Sequence, residues 1–428
     1  MYRVKKQASM RVLIVNTWER VGGASIAANR LLTALNNNGI KAKMLVRDKT
    51  TEHITVASLP KTFPLRFKFL WERLCIFIAN KFNRENLFQV DIANVGYNIT
   101  KLREFKEADV IHLNWINQGF LSLKNIRQII DSGKPIVWTM HDQWPFTGIC
   151  HYSGDCNKYS SECQGCAFLS NKKGKDLSTK VFRRKMKMFK GSHIVFVACS
   201  RWLQELARQS SLLAGQEVIS IPNTINSNLF VPSSQSEARL RCNLPAAKKL
   251  LLFGSQKATD KRKGISFLLD ACQILKGKEP ELSKKMGVVI VGKNAGKMSN
   301  LFPFPVYAID YVEDERRMVS IYNAVDVFVT PSLEDNLPNT IIEAMSCGIP
   351  CVAFKIGGIP EMIEHKKNGY LAEPRNANDL AEGIKFVLEN PSLNELKTNA
   401  NHTTLAKYGE TNVASKYIAA YRRAINLR

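Results

Sequence analysis

The chain has 428 residues, 45% hydrophobic and 23% charged, with 61 Lys+Arg against 37 Asp+Glu for a formal net charge of +24. This composition excludes a wholly disordered chain and provides core for two or three domains of ordinary size. The charge points to an anionic partner: nucleic acid, a phosphorylated ligand or an acidic membrane surface. No stretch stays apolar for the ~18 residues that a membrane span requires. Residues 64–82 come nearest and are interrupted by Arg66, Lys68, Glu72 and Arg73. The apolar run at residues 12–15 is too short for a secretory signal core, so the ten cysteines are expected to meet a reducing cytoplasm.

In chain order, residues 11–16 (RVLIVN) predict a buried strand. Gly22-Gly23 follows, then a helix in which Ala24, Ala27, Ala28, Leu31 and Leu35 recur at helical spacing, closed by NNNG at 36–39. Strand, glycine turn and helix open a nucleotide-type α/β unit. Apolar strands follow at 109–113 (DVIHL) and 135–140 (PIVWTM). The same order restarts with a strand at 249–254 (KLLLFG) and a helix over 264–275. Strands at 287–292 (GVVIVG), 326–331 (DVFVTP) and 350–354 (PCVAF) complete it.

Near-continuous apolar strands alternating with helices indicate parallel sheets covered on both faces. The expected fold is α/β, with two doubly wound Rossmann-like domains facing a central cleft and ligands beyond the carboxyl ends of the strands. The joint falls within 221–243, where Pro222, Pro232, Ser233, Ser234 and Ser236 break the pattern. Residues 1–221 then form the first domain and 222–411 the second, with a terminal helix over 412–428.

The most informative stretch is PSLEDNLPNTIIEAMSCGIPCVA at 331–353. A helix starting near Asn339 and Thr340 would present first-turn N–H groups and a positive dipole end to a phosphate. Glu343, one turn inside, suits a ribose diol. The plainer reading has Asn339 or Thr340 capping the helix and Glu343 complementing its dipole.

This segment resembles the signature of glycosyltransferase family 4, retaining enzymes of GT-B fold, in which two Glu are separated by seven residues and followed by a Cys-Gly-x-Pro turn. Glu343 matches the second Glu, the ribose binder. The first falls on Asp335, a departure that leaves either Asp335 or the adjacent Glu334 to face the donor sugar. Gly22-Gly23-Ala24 resembles the family's glycine loop at the donor. Thr139-Met140-His141-Asp142 resembles the loop whose His lies by the reacting sugar. Ser200-Arg201-Trp202 and Ile221-Pro222-Asn223-Thr224 resemble the end of the first domain. Lys261-Arg262-Lys263-Gly264 resembles the loop that grips the donor diphosphate. The family's Arg after the strand glycine is replaced by Ser255, so Arg262 or Lys257 takes its place. The resemblance also implies that the terminal helix crosses back to the first domain.

A narrower resemblance, carried by HDQWPFTG at 141–148 and Cys150-His151-Tyr152, is to a bacterial subgroup that assembles capsule, exopolysaccharide or lipopolysaccharide glycans. The implied activity moves a sugar from a nucleotide-diphosphate sugar to a glycan or lipid-diphosphate-linked acceptor. His141, Asp335 and Glu334 are its catalytic candidates; Gly22, Gly23, Arg262, Lys263, Asn339, Thr340 and Glu343 bind the donor. Lys263, Arg262 and a helix N-terminus can stabilise a departing diphosphate, so no cofactor is required for catalysis. No Asp-x-Asp pair at a strand end suggests a catalytic metal.

Cys150, Cys156, Cys163 and Cys166 fall close together, the last two as CxxC. A structural zinc site, a redox function and reduced packing cysteines are the readings, and the zinc reading lacks a second paired spacing. In residues 180–190 (KVFRRKMKMFK), Lys180, Arg183, Arg184 and Lys187 share one helical face. Phe182, Met186 and Phe189 take the other, and Lys185 is out of place. This is either a surface helix packed on the sheet or an interfacial helix facing an anionic membrane surface. Residues 65–78 add apolar bulk, with Arg66 and Arg73 on one face, but Lys68 spoils the amphipathicity. The competing classes are a GT-B sugar-nucleotide epimerase and a basic nucleic-acid-binding protein. The latter lacks a recognisable module, so nucleic acid is not an expected partner. A nicotinamide dehydrogenase would need a G-x-x-G continuation after Gly22-Gly23. The expected location is cytoplasmic, peripheral at the inner face of the membrane.

Overall fold

The computed structural model describes residues 9–60, 65–170 and 174–427. The N-terminal residues 1–8, Pro64 and the side chain of Arg66, which entered the expectations above, lie outside the described residues. Contacts divide the chain into two compact units: one up to Pro222 together with the stretch from Val413, the other Asn223–Asn412.

The first unit is built on an all-parallel seven-stranded sheet. Its strands are β1 (Arg11–Trp18), β2 (Lys41–Asp48), β3 (Val56–Ser58), β4 (Val110–Leu113), β5 (Ile136–Met140), β6 (Ile194–Ala198) and β7 (Glu217–Ser220), in the order β3-β2-β1-β4-β5-β6-β7. Side chains alternate between two apolar layers, as the period of a strand requires. Leu13, Val15, Ile111, Leu113, Trp138 and Phe196 enter one core, while Val12, Ile14, Val110, Val137 and Val195 enter the other. That second layer also takes Val413, Tyr417, Tyr421 and Ala424 from the Glu410–Asn426 helix. Tyr421 and Tyr417 hydroxyls reach His112 Nδ1 (2.9 Å) and Thr139 Oγ1 (3.0 Å).

The second unit repeats the plan with β8 (Lys249–Lys257), β9 (Met286–Lys293), β10 (Val306–Ile309), β11 (Val327–Thr330), β12 (Cys351–Phe354) and β13 (Gly369–Ala372), ordered β10-β9-β8-β11-β12-β13 and all parallel. In each sheet the strand order reverses direction beside the unit's first strand: between β1 and β4, and between β8 and β11. In sheets of this kind ligands bind beyond the carboxyl ends of the strands at such a switch point. The helix Ile265–Lys278 packs behind β8, with Leu268, Ala271, Cys272 and Leu275 buried. Within the joint, Ser234 caps a short helix, Gln235–Arg241, that the Pro- and Ser-rich pattern concealed.

The basic helix runs Leu177–Phe189, started by a capping box between Asp176 and Thr179. Lys180, Arg183, Arg184 and Lys187 face solvent, as expected, and Arg183 pairs with Glu162 at 2.6 Å. The apolar face differs from expectation: Met186 is exposed and Lys185 fully buried. Lys185 lies over the Trp144 ring (3.5 Å to its centroid) and donates to the carbonyls of Trp144 and Thr147. It binds backbone of the 141–150 loop that an apolar side chain would leave without a donor.

Candidate active site

In the second unit, the loops leaving β8 and β11 carry the predicted donor residues. Asp260 caps the short Lys261–Lys263 turn, its side chain accepting the Arg262 N–H at 3.0 Å. Gly264 follows at φ 71°, where a Cβ would fall 1.8 Å from the Pro331 carbonyl oxygen. Glycine is therefore what lets the basic loop lie against the β11 loop. Leu333 N–H closes the contact by donating to the Arg262 carbonyl at 2.8 Å.

This apposition sets Lys263 Nζ 2.5 Å from Asp335 Oδ2, with Arg262 Nη1 3.9 Å from the same oxygen. Arg262 Nη1 also donates to the Glu334 carbonyl at 2.7 Å. Asp335 is buried, which pushes its carboxyl up, but the charges of Lys263 and Arg262 outweigh burial and hold it below the ordinary carboxylate range. Of the two carboxylates left open by the sequence, Asp335 is joined to the basic loop through its side chain and Glu334 through its backbone. Ser255, which replaces the family's Arg, donates from its hydroxyl to the Lys257 carbonyl at 2.8 Å.

The helix after this loop runs Asn339–Ser346 with Pro338 at its N-cap, and no side chain caps it. The expected capping by Asn339 or Thr340 is not made, because Pro338 occupies that position and Asn339 Oδ1 instead accepts from Asn223 Nδ2 at 2.9 Å. Glu343 is buried, and the Tyr322 hydroxyl donates to its Oε2 at 2.8 Å.

In the first unit, Gly22 takes φ 86° at the N-cap of the Gly23–Asn37 helix. Asn16 ties that turn to the loop after β4: its Nδ2 donates to Ser25 Oγ (2.9 Å) and its Oδ1 accepts from the Trp115 N–H (3.0 Å). His141 ends β5. Its Nε2 lies 2.9 Å from Asn114 Oδ1 and its Nδ1 3.6 Å from Cys199 Sγ. Burial holds the imidazole down to about 4, against the opposing charge of Asp142, so His141 is neutral at physiological pH.

Beside it lies a buried ionic chain that the sequence did not reveal. His151 reaches Asp142 through Nδ1 (2.7 Å) and Asp91 through Nε2 (2.6 Å). Burial disfavours its charge, but the two carboxylates prevail and raise it to about 10, leaving an imidazolium that donates from both nitrogens. Asp142 also accepts from Trp115 Nε1 and the Trp144 N–H, both at 2.9 Å. Asp91 pairs with Arg73, whose neighbour Glu72 accepts the N–H groups of Ile92 (3.0 Å) and Ala93 (2.7 Å). His151 stands inside the Cys150-His151-Tyr152 motif, whereas nothing local marks Asp91 or Arg73.

The four clustered cysteines do not form the zinc site that their spacing suggested. Among the described residues, no group of three or more His, Cys, Asp or Glu side chains is disposed to hold a metal ion. Cys163 is buried and accepts the Gly148 N–H, Cys150 is buried and Cys156 is exposed. Burial pushes the Cys163 and Cys166 thiols up to about 11.

Two Rossmann-type parallel sheets, with cations and a carboxylate gathered at the switch point of the second, define a GT-B architecture. The chain resembles sucrose-phosphate synthase of Thermosynechococcus elongatus (TM-score 0.69, 19% identity, 98% of this chain and 100% of that one). It also resembles Anabaena HepE in complex with UDP-glucose (TM-score 0.65, 17% identity, 97% and 100%). The family model for Glycosyltransferase Family 4 matches residues 21–229, and that for Glycosyl transferases group 1 matches residues 247–390. These matches take in most of the chain, which belongs to the glycosyltransferases of family 4 and group 1. Among sequence relatives, the N,N'-diacetylbacillosaminyl-diphospho-undecaprenol alpha-1,3-N-acetylgalactosaminyltransferase of Campylobacter jejuni is 33% identical over 119 residues, 28% of this chain and 31% of that protein. The chain spans less than two thirds of the length of the curated relatives it matches.

Proposed function

We propose that the chain is a retaining glycosyltransferase that moves a sugar from a nucleotide-diphosphate sugar to a growing glycan. In this reading the acceptor is carried on a lipid diphosphate, and the product is a bacterial capsule, exopolysaccharide or lipopolysaccharide. The enzyme works in the cytoplasm, peripheral at the inner face of the membrane. The observation that carries the reading is the cluster at the β8–β11 switch point: Lys263 and Arg262 drawn to Asp335, with the Asn339–Ser346 helix and Glu343 following on the same loop. Support for the donor class comes from the UDP-glucose held by HepE, and for the acceptor class from the diphospho-undecaprenol in the Campylobacter enzyme's name.

Glycosyl transfer breaks the anomeric C–O bond through an oxocarbenium-like state while negative charge grows on the departing diphosphate. Lys263 and Arg262 stabilise that charge, helped by the first-turn N–H groups of the Asn339–Ser346 helix. Asp335 holds Lys263 in place before the donor arrives and then faces the sugar. Glu343, oriented by Tyr322, holds the ribose. His141, neutral and oriented by Asn114, sits beside the anomeric carbon. Retention follows from front-face attack, so no covalent nucleophile is assigned. A donor panel with a polyprenyl-diphosphate-linked acceptor tests the reading by nucleotide release and product formation. An epimer formed from donor alone would contradict it.

A further inference from the structure

The Leu65–Ala79 helix buries charge and leaves a strip of apolar side chains outward. Phe67, Leu70, Trp71, Leu74 and Ile78 recur at i, i+3, i+4, i+7 and i+11 and are exposed, Phe67 at 59% and Leu70 at 60%, while Ile76 is buried and Phe69, Cys75 and Phe77 are half-buried. The charged residues Glu72 and Arg73 of the same helix are buried. A globular surface helix does the reverse. The inversion is specified rather than accidental, because Arg73 and Glu72 are held inside by Asp91 and the N–H groups of Ile92 and Ala93. That anchorage fixes the helix with its apolar side outward. The outward rings are also organised: Phe67 stacks on Trp71 with centroids 6.2 Å apart, and the exposed Phe82 packs edge-on against Phe77 at 5.4 Å. A contiguous apolar strip of this kind, unlike single exposed apolar residues, marks a docking surface.

Charge selects the occupant. Directly beyond the helix stand Lys81 and Arg84, both exposed, followed by one exposed acid, Glu85, while the strip from Phe67 to Ile78 exposes no acid. The chain as a whole carries +24. Large apolar side chains edged by cations on a helix laid flat match an anionic bilayer interface, where the rings enter the headgroup boundary and the cations meet phosphate. No helix among the described residues is long and apolar enough to cross a membrane, so this helix would lie on the surface. We infer that the outer face of the Leu65–Ala79 helix, with Phe82, Lys81 and Arg84, is the surface by which the chain docks on an anionic lipid bilayer. The inference rests on the peripheral-membrane part of the proposed function and assigns it to this helix rather than to the basic Leu177–Phe189 helix. The buried face of the docking helix connects through Arg73, Asp91 and His151 to Asp142, next to His141. Docking would thus be registered on the loop proposed to face the reacting sugar.

The test is flotation of the full chain with phosphatidylglycerol-containing and pure phosphatidylcholine vesicles. The variants are a Leu70→Glu/Leu74→Glu pair, a Lys81→Glu/Arg84→Glu pair, and Arg183→Glu/Lys187→Glu on the other helix. All sites are exposed, and an unchanged melting temperature certifies each fold. The wild type should float with anionic vesicles and far less with neutral ones. The leucine pair should lower that binding about tenfold or more, and the Lys81/Arg84 pair should remove its salt sensitivity. The Arg183/Lys187 pair should bind like the wild type. Leucine variants that still float, with binding lost in the Arg183/Lys187 pair, would overturn the assignment while leaving the membrane reading standing. A wild type that floats with neither vesicle would overturn both. A wild-type dimer that the leucine pair converts to monomer would make the strip a self-association face instead.

Discussion

Lys263 and Asp335, 72 residues apart in sequence, meet at 2.5 Å across the two loops that leave β8 and β11. One comes from the basic loop expected to grip a diphosphate and the other from the carboxylate position expected to face the sugar. The pairing makes them one unit: a buried carboxylate that holds the cation in place. Lys263→Ala should lower kcat/KM about a hundredfold or more, since it removes a cation from the departing phosphate. Asp335→Asn should also lower activity, and acid should disorder the loop in the wild type. Asp335 is held below its unfolded value, so its stabilising contribution is present above about pH 4 and lost as pH falls through the lowered value. Steady-state kinetics on a donor series and acid melting curves check both.

Gly264 makes that meeting possible. With φ 71° and a would-be Cβ 1.8 Å from Pro331 O, Gly264→Ala must push the two loops apart. Donor affinity should fall more than about tenfold, and stability by about 1–3 kcal/mol. Calorimetric donor titration and thermal melting read the two effects separately.

Tyr322 and Glu343 allow a milder test. Tyr322→Phe removes one 2.8 Å hydrogen bond and should raise the donor KM several-fold with little change in kcat. Glu343→Ala should raise it by about a hundredfold. A 2′-deoxyribose donor should then lose less with the variant than with the wild type.

His151 should remain an imidazolium well above neutrality. It is raised to about 10 between Asp91 and Asp142, so its contribution to stability is complete below about pH 6.5 and is lost as pH rises through about 10. Its ring resonances in a nitrogen–proton NMR titration should show both N–H protons at pH 8. His151→Ala leaves two buried carboxylates without their shared cation and should cost about 3–5 kcal/mol in denaturant unfolding.

The sequence showed the parallel sheets clearly because buried parallel strands are apolar throughout, as in 135–140 and 326–331. The loops proposed to bind the donor were visible because Lys263, Asp335 and Glu343 lie in short local motifs. The buried ionic chain was not, since Arg73, Asp91 and His151 come from distant segments and a charge's burial depends on partners that only the fold supplies. The same cause shaped two helices. In 65–78 the pattern sets Arg66 and Arg73 on one face without showing that Arg73 is anchored inside; in 180–190 Lys185 is out of place in the pattern because it binds the Trp144 and Thr147 carbonyls. Amphipathic pattern places apolar faces inward by default and fails where buried ions are paired.

Lys263, Asp335 and Glu343 are proposed to carry transfer from a nucleotide sugar. The direct measurement is nucleoside diphosphate release from a donor panel with a polyprenyl-diphosphate-linked acceptor, with the anomeric configuration of the product read by NMR. Acceptor-dependent release, a product that keeps the donor's configuration, and loss of both signals in Lys263→Ala and Glu343→Ala are the expected results. A wild type that consumes no donor, an inverted product, or full turnover by those two variants would contradict the proposed transfer.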